Sequence, residues 1–405
     1  MKTLLILNGA PQALPGIELA RSMGLHVVVC DMNPDAPGFA IADDRLLVST
    51  YDLPAAVAAA RAYSREVRKI DGVICVASDV PHTVAAIAED LGLPGIPPEV
   101  ANRAMDKFAM KQKFRADGVP IPDFWALDSA AALRALVAER GYPLVVKPVD
   151  SRGSRGVSRL TEEVDLEWAY SEALRHSPSG RVMAEQYLDG PQVSTESIVL
   201  DGHAHTPGFS DRNYELLERY APYFIENGGS LPSHLPAGMQ QAIHRLVEEA
   251  ARSLGVVNGV VKGDIVVTDG EPHVIELAAR LSGGFFCTHE IPLNTGVNIV
   301  EAVIKLALGE RVEPADLEPR FMRPVAQRYI FPEPGRVTAI GDLDSVRQMP
   351  GVEYLVVETA VGERLAPPTS GPCRAGMVIT TGESVAEAIA RAEAAVAAVV
   401  IETVP

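Results

Sequence analysis

The chain has 405 residues, more than one ordinary hydrophobic core holds, and its 47% hydrophobic and 22% charged composition is typical of a folded protein of two or three domains. Its 36 basic and 53 acidic residues leave a formal net charge of −17, which argues against a nucleic-acid partner because a phosphate backbone attracts basic surfaces. No run approaches the roughly 18 apolar residues of a membrane span, and the four cysteines lack Cys-x-x-Cys spacing, so we expect a cytoplasmic protein without disulfides, zinc or a membrane partner.

Strands and helices alternate in the first hundred residues. The predicted strands are Thr3–Leu7, Val27–Asp31 and Gly72–Ala77, and the predicted helices are Pro11–Gly24, Leu53–Lys69 and Val80–Leu91. This alternation predicts an N-terminal α/β domain over residues 1–100, with a parallel sheet and helices on both faces. The first apolar run ends at Asn8 and Gly9, so we interpret it as a strand and not as a signal peptide. The turn that follows lacks Gly-x-Gly-x-x-Gly, so NAD binding is disfavoured although Asp31 ends the second strand.

The rest of the chain mixes helices with short strands. Within residues 101–312 the strand-like runs include Leu144–Lys147 and Val182–Glu185. Pro314–Arg320 is predicted to be a linker. It opens a C-terminal region, 313–405, which has a strand-rich stretch near Val352–Val361 and a final helix at Glu383–Val400. Both regions are therefore expected to be α+β.

Lys147 ends an apolar strand and is followed by a loop rich in glycine and serine. A lysine at this place is costly to bury without an anion, which indicates a phosphate or carboxylate partner; the alternative is a surface lysine whose ammonium reaches water. The loop contains Gly153, Ser154 and Gly156, and its backbone amides can approach phosphate oxygens. A plain flexible hairpin has the same composition, and Walker A spacing is absent.

A second strand end lies at Glu185, where the chain reads Glu-Gln-Tyr-Leu-Asp-Gly. The backbone of Gln186, Tyr187 and Leu188 at such an edge can pair with an adenine, while the carboxylate reaches the adenine amino group. The alternative is an ordinary strand and turn with an acid that faces solvent.

The run from Gly263 to Glu276 predicts a β-hairpin that turns at Asp269 and Gly270. Asp264 and Glu276 each lie six residues from Gly270, so they are expected opposite or nearly opposite each other on one face. Facing carboxylates repel unless they share a hard cation such as Mg²⁺, and two acids that point into water are the alternative. Arg280 follows on the same face, where it can hold an anionic substrate or a transferring phosphoryl group.

These motifs occur in the order found in the ATP-grasp superfamily, which the chain resembles over nearly its whole length. The resemblance rests on Lys107 in Met-Asp-Lys-Phe, on Val-Val-Lys-Pro, on the glycine-rich loop, on Glu-Gln-Tyr-Leu-Asp-Gly and on Glu-Leu-Ala-Ala-Arg-Leu-Ser-Gly-Gly. It implies a biotin-carboxylase-like layout with an N-terminal domain over 1–100, an ATP-grasp domain over 101–312 with a mobile lid at about 118–186, and a C-terminal domain over 313–405. Gly-Val-Val-Lys-Gly-Asp-Ile and Asp-Met-Asn-Pro-Asp-Ala-Pro-Gly resemble carboxylate–amine ligases of the amino-acid and dipeptide kind.

The resemblance also implies roles for individual residues. Lys107 and Lys147 would contact the phosphates of ATP under the loop of Gly153, Ser154 and Gly156, while Asp264 and Glu276 would hold Mg²⁺, or Mn²⁺ in its place. The residues implied for the adenine are Glu185, Gln186, Tyr187 and Leu188.

Two positions depart from the family pattern. Gln192 stands where many members have a ribose-binding glutamate, and its amide can still bind a hydroxyl. Ala278 stands where an asparagine commonly completes the metal site, which puts strict occupancy by two metal ions in doubt.

The sequence therefore predicts phosphoryl transfer from ATP to a carboxylate, followed by attack of an amine on the acyl phosphate. No nucleophilic side chain is required, in agreement with the lack of any Ser-His-Asp or Cys-His signature. Both substrates are expected to be small molecules, and a homodimer is left open. Glu226 is a candidate for a substrate ammonium, or else an ordinary surface glutamate. Gly283 and Gly284 are candidates for substrate contact, while His289 is expected to cap a helix sooner than to act as a base.

Two alternatives remain open at this point. The first is a carboxylase- or formyltransferase-like enzyme of the same fold, as in purine synthesis, in which bicarbonate or formate drives ADP release. The second is a nucleotide-binding regulatory protein without turnover.

Overall fold

The computed structural model describes all 405 residues, and its N-terminal region is built on a four-stranded parallel sheet of order β3-β2-β1-β4. Its strands are β1 (Thr3–Leu7), β2 (His26–Asp31), β3 (Asp44–Leu47) and β4 (Gly72–Cys75), and its helices are α1 (Leu14–Ser22), α2 (Leu53–Glu66) and α3 (Pro81–Leu91). β3 was not predicted, because this short edge strand alternates between half-buried and exposed residues. The predicted helix at Pro11–Gly24 begins instead with a 3₁₀ turn, since Pro15 lacks an N–H and is tolerated only in the first turn of an α-helix.

Two short helices, α4 (Pro98–Met105) and α5 (Lys107–Asp117), lead into a separate four-stranded sheet. This sheet occupies the region predicted to be a lid and has the order β5-β8-β6-β7. Its elements are β5 (Phe124–Leu127), α6 (Ala130–Arg140), β6 (Leu144–Pro148), β7 (Ser158–Leu160), α7 (Leu166–Arg175) and β8 (Val182–Gln186). Leu133 and Leu136 of α6 pack with Ala169 and Ala173 of α7 against the sheet, which gives this region a small core of its own.

The largest sheet has eight strands in the order β13-β12-β9-β10-β11-β14-β18-β16. The strands are β9 (Gln192–Leu200), β10 (His203–Arg212), β11 (Gly229–Leu231), β12 (Gly259–Thr268), β13 (Glu271–Ala278), β14 (Val325–Ile330), β16 (Val352–Val357) and β18 (Gly376–Thr381). Helices α8 (Ala237–Leu254), α9 (Ile291–Thr295) and α10 (Ile299–Ala307) connect and cover them. Because β11 pairs with β14, the sheet continues across the boundary expected near residue 312, and the domain limits stay a prediction.

The C-terminal region adds a three-stranded sheet of order β17-β15-β19. Its elements are β15 (Gly335–Ile340), α11 (Leu343–Arg347), β17 (Arg364–Leu365), α12 (Val385–Ala398) and β19 (Ile401–Val404). The predicted strand near Val352–Val361 ends at Val357 as β16, and the predicted linker contains a 3₁₀ turn at Pro314–Leu317.

One core of 29 buried residues joins the N-terminal sheet to the rest of the molecule. It includes Ile6 and Val29 of that sheet, Ile304 of α10, and Val325 and Ile379 of the eight-stranded sheet. The three regions are therefore packed together around the cleft described next. No helix combines the length and the apolar composition that crossing a membrane requires.

Candidate active site

A cleft of about 270 Å³ lies where the three regions meet; we call it the main cleft. Most of the candidate residues from the sequence line it: Lys107, Lys147, Gly153, Ser154, Glu185, Gln186, Tyr187, Leu188, Gln192, Glu226, Asp264, Glu276 and Arg280. Gly283 and Gly284 line an adjoining space, which we call the second chamber. Among the residues that it shares with the main cleft are Arg212, Lys262, Arg280 and Arg374. Gly156 lines neither space. A Cβ there would meet His176 at 2.9 Å, so this position requires glycine for packing as well as for its φ of 71°.

Lys147 lies in β6 with its side chain only 5% exposed, and its Nζ is 2.7 Å from Oε1 of Glu185 on the neighbouring strand β8. Lys111 of α5 reaches the same oxygen at 3.1 Å. Both contacts are ion pairs without the alignment of a hydrogen bond, since Glu185 Oε1 and Lys111 Nζ have no hydrogen-bond partner. Burial alone would raise the pKa of Glu185, but Lys111 and Lys147 together lower it. The two lysines leave this buried group with a net positive charge, which suits a phosphate.

The sequence motifs did not identify Lys111 as a candidate site residue. It is 1% exposed, and burial lowers its pKa to about 8. Its position four residues after Lys107 on α5 is the signal that could have revealed it, because residues at this spacing share a helix face. Glu185, in turn, faces these lysines and not solvent, so its predicted contact with adenine stays a prediction.

Lys107 is the first residue of α5, after Asp106, whose side chain caps the helix by accepting from the Ala109 amide. Its Nζ donates to the Ser151 carbonyl at 2.8 Å and lies 3.3 Å from Oε1 of Glu276. The lysine therefore joins the glycine-rich loop to the hairpin that carries the acids.

The register of β12 and β13 pairs Asp264 with Glu276 directly, which confirms that the two acids lie opposite or nearly opposite each other. The two-residue turn alone would pair Asp264 with Ile275, and a β-bulge between Asp264 and Ile265 shifts the register by one residue. Each acid also has cationic neighbours, which offset the expected repulsion between the two carboxylates. Asp264 pairs with Lys262 and, at 2.6 Å, with Arg212 of β10, while Glu276 pairs with Lys107. Burial would raise the pKa of Asp264, but these two cations hold it well below its usual range. Nothing in the sequence pattern placed Arg212 here.

The two facing acids of the hairpin are candidates for holding a divalent ion. No group of three or more His, Cys, Asp or Glu side chains converges anywhere in the chain, so the protein alone does not form a metal cage. Mg²⁺, however, is commonly bound by one or two carboxylates together with substrate phosphates and water. Asp264 and Glu276 fit that mode, and Ala278 beside them adds no ligand.

The glycine-rich loop covers the main cleft and is held by the C-terminal region. Ser154 adopts a φ of 59° and Gly153 a φ of 62°. The Gly371 amide donates to the Gly153 carbonyl at 3.0 Å, and the Arg152 guanidinium lies 4.6 Å from the ring centre of Tyr51 in the N-terminal region. The loop thus contacts both flanking regions, while the amides of Gly153 and Ser154 donate to no backbone carbonyl.

The opposite end of the main cleft is apolar. It is lined by Pro122, Val145, Leu188, Val266 and Ile275. The amides of Tyr187 and Leu188 lie just beyond β8 and donate to no backbone carbonyl. A flat aromatic ring with polar edges fits a slot with apolar walls and free backbone groups.

Arg280 and Glu226 are both engaged by neighbours. Arg280 Nε donates to Asp79 of the N-terminal region at 2.5 Å, and a terminal nitrogen donates to the Leu281 carbonyl at 3.2 Å. Glu226 accepts two hydrogen bonds from Arg212, at 2.8 and 3.3 Å. The carboxylate clamp proposed for Arg280 and the ammonium contact proposed for Glu226 therefore both have competing ion pairs.

The second chamber contains two buried acids that the sequence did not single out. Glu196 accepts from the amide of Ser282 at 2.8 Å and from its hydroxyl, and burial raises its pKa to about 7 against these bonds. Glu290 is 3% exposed and has no hydrogen-bond or ion-pair partner. Burial, with Glu226 and Glu196 nearby, raises its pKa to about 8.

His289 neither caps a helix nor faces a substrate-sized opening. It lies in a π-helical turn, Phe286–Glu290, with its ring 5.1 Å from that of Phe285 and 4.4 Å from that of Tyr354. Burial lowers its pKa, so the imidazole belongs to an aromatic cluster.

Comparison with known families agrees with the geometry along most of the chain. Residues 17–95 match the model of the ATP-grasp N-terminal domain, residues 104–284 that of the ATP-grasp domain, and residues 328–404 that of the L-amino acid ligase C-terminal domain 2.

Individual proteins point the same way. A D-alanine–D-alanine ligase from Acidovorax ebreus is 30% identical over 204 residues, which is 48% of this chain and 60% of that protein. The crystal structure of an L-amino acid ligase from Bacillus licheniformis superimposes with a TM-score of 0.84 at 25% identity, covering 100% of this chain and 99% of that one. N5-carboxyaminoimidazole ribonucleotide synthetase from Thermotoga maritima shares the fold at a TM-score of 0.72 and 16% identity, with both chains fully covered. The chain belongs to the ATP-grasp superfamily.

Proposed function

We propose that the protein is an ATP-dependent carboxylate–amine ligase that forms an amide bond through an acyl phosphate and releases ADP and phosphate. The observation that carries the proposal is the composition of the main cleft, where two phosphate-suited lysines, the loop with free backbone groups and a facing pair of carboxylates line one space. The relatives named as ligases support the direction of the reaction.

The reaction divides between the two ends of the main cleft. The apolar slot beside Leu188 would hold the adenine of ATP, and Gln192 would contact the ribose. Lys147, whose Nζ lies 2.7 Å from Oε1 of Glu185, would bind the phosphates beside Lys107. A substrate carboxylate attacks the γ-phosphate there, and the positive charge of both lysines stabilises the negative charge that develops.

Amide formation follows in the same enclosed space. An amine attacks the acyl phosphate and phosphate leaves, so no side-chain nucleophile is needed. The glycine-rich loop, held at Gly153 by Gly371, would exclude water, which would otherwise hydrolyse the activated acyl group.

We propose Mg²⁺ as the metal, held by Asp264 and Glu276 with the phosphates of ATP supplying further oxygens. A bound divalent ion supplies charge neutralisation for phosphoryl transfer. Asp264 pairs with Lys262 and Arg212, and Glu276 pairs with Lys107, so both carboxylates lie in surroundings where a positive charge stabilises them.

The cytoplasm suits this chemistry, and the four cysteines are all free thiols, as a reducing compartment favours.

The association of two chains into a homodimer stays a prediction. Small-molecule substrates fit the enclosed cleft.

The test is a screen of ADP release with single and paired amino acids, with bicarbonate and with formate. The proposal predicts release that depends on an amino acid and yields an amide product detectable by mass spectrometry. Release driven by bicarbonate or formate would favour the carboxylase- or formyltransferase-like alternative. ATP binding without ADP release under any condition would favour a regulatory protein.

A further inference from the structure

The buried acids around the two spaces differ in one respect. Glu185, Glu196, Asp264, Asp79 and Glu226 each have a hydrogen-bond or ion-pair partner in the protein. Glu290 has none, although it is among the most buried of them. A buried carboxylate without a partner is costly, so a cation from outside the protein would stabilise it.

An unpaired cation lies in the same chamber. The Arg374 guanidinium is 3.5 Å from the ring centre of Tyr329, and its Nε donates to the Gly371 carbonyl at 2.7 Å, but no carboxylate pairs with it. Tyr329 is close to both groups: burial raises its pKa, Arg374 opposes the rise and Glu290 adds to it. No ion pair joins Arg374 to Glu290, so the chamber offers a cationic group and an acidic group near one phenol, each without an ionic partner.

We propose that the second chamber binds the amine-donating substrate as a zwitterionic amino acid, with its ammonium at Glu290 and its carboxylate at Arg374. This inference rests on the proposed ligase function and specifies the acceptor of that reaction. An inorganic cation at Glu290 is disfavoured because no third metal-ligating acid, histidine or cysteine converges there.

The position of the charges assigns the acceptor and not the activated substrate. A carboxylate that is phosphorylated must lie beside Lys147, Asp264 and Glu276 in the main cleft. Arg374 lines both spaces, but its guanidinium lies over Tyr329, which lines only the second chamber, as Glu290 does. A carboxylate held there survives the reaction. The shared wall of Arg212, Lys262 and Arg280 leaves the amine next to the acyl phosphate.

The test measures binding by calorimetry on the full chain, with each of the common amino acids as the probe. The ligand that binds is then compared with its amide, which lacks the carboxylate charge, and with its N-acetyl form, which lacks the ammonium. Glu290→Gln and Arg374→Gln are the test variants. Glu89→Gln and Arg364→Gln are matched controls, because both residues are exposed and their side chains make no hydrogen bond or ion pair.

In the wild type and both controls, removal of either ligand charge should weaken binding by at least ~10-fold, since a hydrogen bond between charged groups is lost. Glu290→Gln should bind the amino acid and its N-acetyl form about equally, and Arg374→Gln should not discriminate the amino acid from its amide. In turnover with two different amino acids, Glu290→Gln should raise the KM of the one that supplies the amine and leave the KM of ATP unchanged.

Wild-type discrimination in both test variants would overturn the inference, as would binding of no amino acid, or equal competition by potassium chloride. If amino-acid pairs still drive ADP release in that case, the ligase function stands and only the site assignment fails. If binding depends on Glu290 and Arg374 but no pair drives ADP release, the zwitterion site stands and the ligase function fails.

Discussion

In the main cleft, Lys147 and Lys111 share Glu185, and Asp264 is compensated by Arg212 and Lys262, whereas in the second chamber Glu290 and Arg374 have no ionic partner. A ligand that carries charges of both signs, such as a metal–phosphate group, can replace an ion pair within the protein, because each charged side chain then pairs with the ligand instead. Unpaired charges gain from a ligand without losing an existing contact. The first arrangement suits ATP with its metal ion, and the second suits a zwitterion.

The largest effect is expected from the cleft lysine. Lys147→Ala should lower ATP turnover at least ~10²-fold, because a charge that stabilises phosphoryl transfer is lost. Lys111 still compensates Glu185 in this variant, so the melting temperature should fall only modestly. Lys113→Ala, which removes a partly exposed lysine of α5, is the control and should retain turnover. Normal ADP release from folded Lys147→Ala would exclude Lys147 from the phosphate site.

Arg280 has two possible roles, binding of the substrate carboxylate and an ion pair with Asp79, and two variants distinguish them. If it clamps the substrate carboxylate, Arg280→Lys should lower substrate-stimulated ADP release roughly 10²-fold with ATP binding preserved, because the planar fork is lost while the charge remains. If it serves only the ion pair with Asp79, Asp79→Asn should cost as much as Arg280→Lys in stability and in turnover. Turnover and melting temperature of both variants decide between these results, and full activity of Arg280→Lys would refute the clamp.

A smaller effect is expected at the paired acids. Asp264→Asn and Glu276→Gln should each raise the Mg²⁺ concentration needed for half-maximal activity, and the double variant should be no worse than the poorer single one, since groups serving one ion act as a unit. With chelator present, Asp264→Asn should lower the melting temperature because Arg212 and Lys262 lose their anion. If the activity losses of the two single variants multiplied in the double variant, Asp264 and Glu276 would not hold the same ion.

The smallest effect concerns stability and pH. The raised pKa of Glu290, about 8 against 4.5, means that the folded state binds this proton more tightly than the unfolded state. The contribution of Glu290 to the free energy of unfolding therefore decreases as pH rises from about 5 to about 8. Glu290→Gln should reduce the fall in melting temperature over that range, while Glu89→Gln should not. Glu196, whose pKa is raised to about 7, keeps part of the fall in both variants. If the melting temperature of Glu290→Gln fell with pH as much as that of the wild type, burial would not raise the pKa of Glu290.

Local patterns predicted the parallel N-terminal sheet and the hairpin at Asp269 and Gly270, because strand alternation and turn residues are local signals. The direct pairing of Asp264 with Glu276 depends in addition on a β-bulge, which these patterns did not reveal. The partners of the acids could not be predicted this way. Arg212 reaches Asp264 from β10 and Asp79 reaches Arg280 from the N-terminal region, so both pairs depend on tertiary packing. Glu290 and Arg374 are separated by 84 residues and meet at Tyr329 only after β14 and β18 join the large sheet.

The central claim is that the substrate carboxylate becomes an acyl phosphate, and the most direct measurement follows its oxygen. The amino acid that supplies the acyl group is labelled with ¹⁸O in both carboxyl oxygens and mixed with ATP and the second amino acid, and the released phosphate is analysed by mass spectrometry. The account predicts one labelled oxygen in each phosphate, because attack on the γ-phosphorus transfers a carboxylate oxygen that leaves with the phosphate when the amine attacks. Unlabelled phosphate, released at the same rate as ADP, would contradict it.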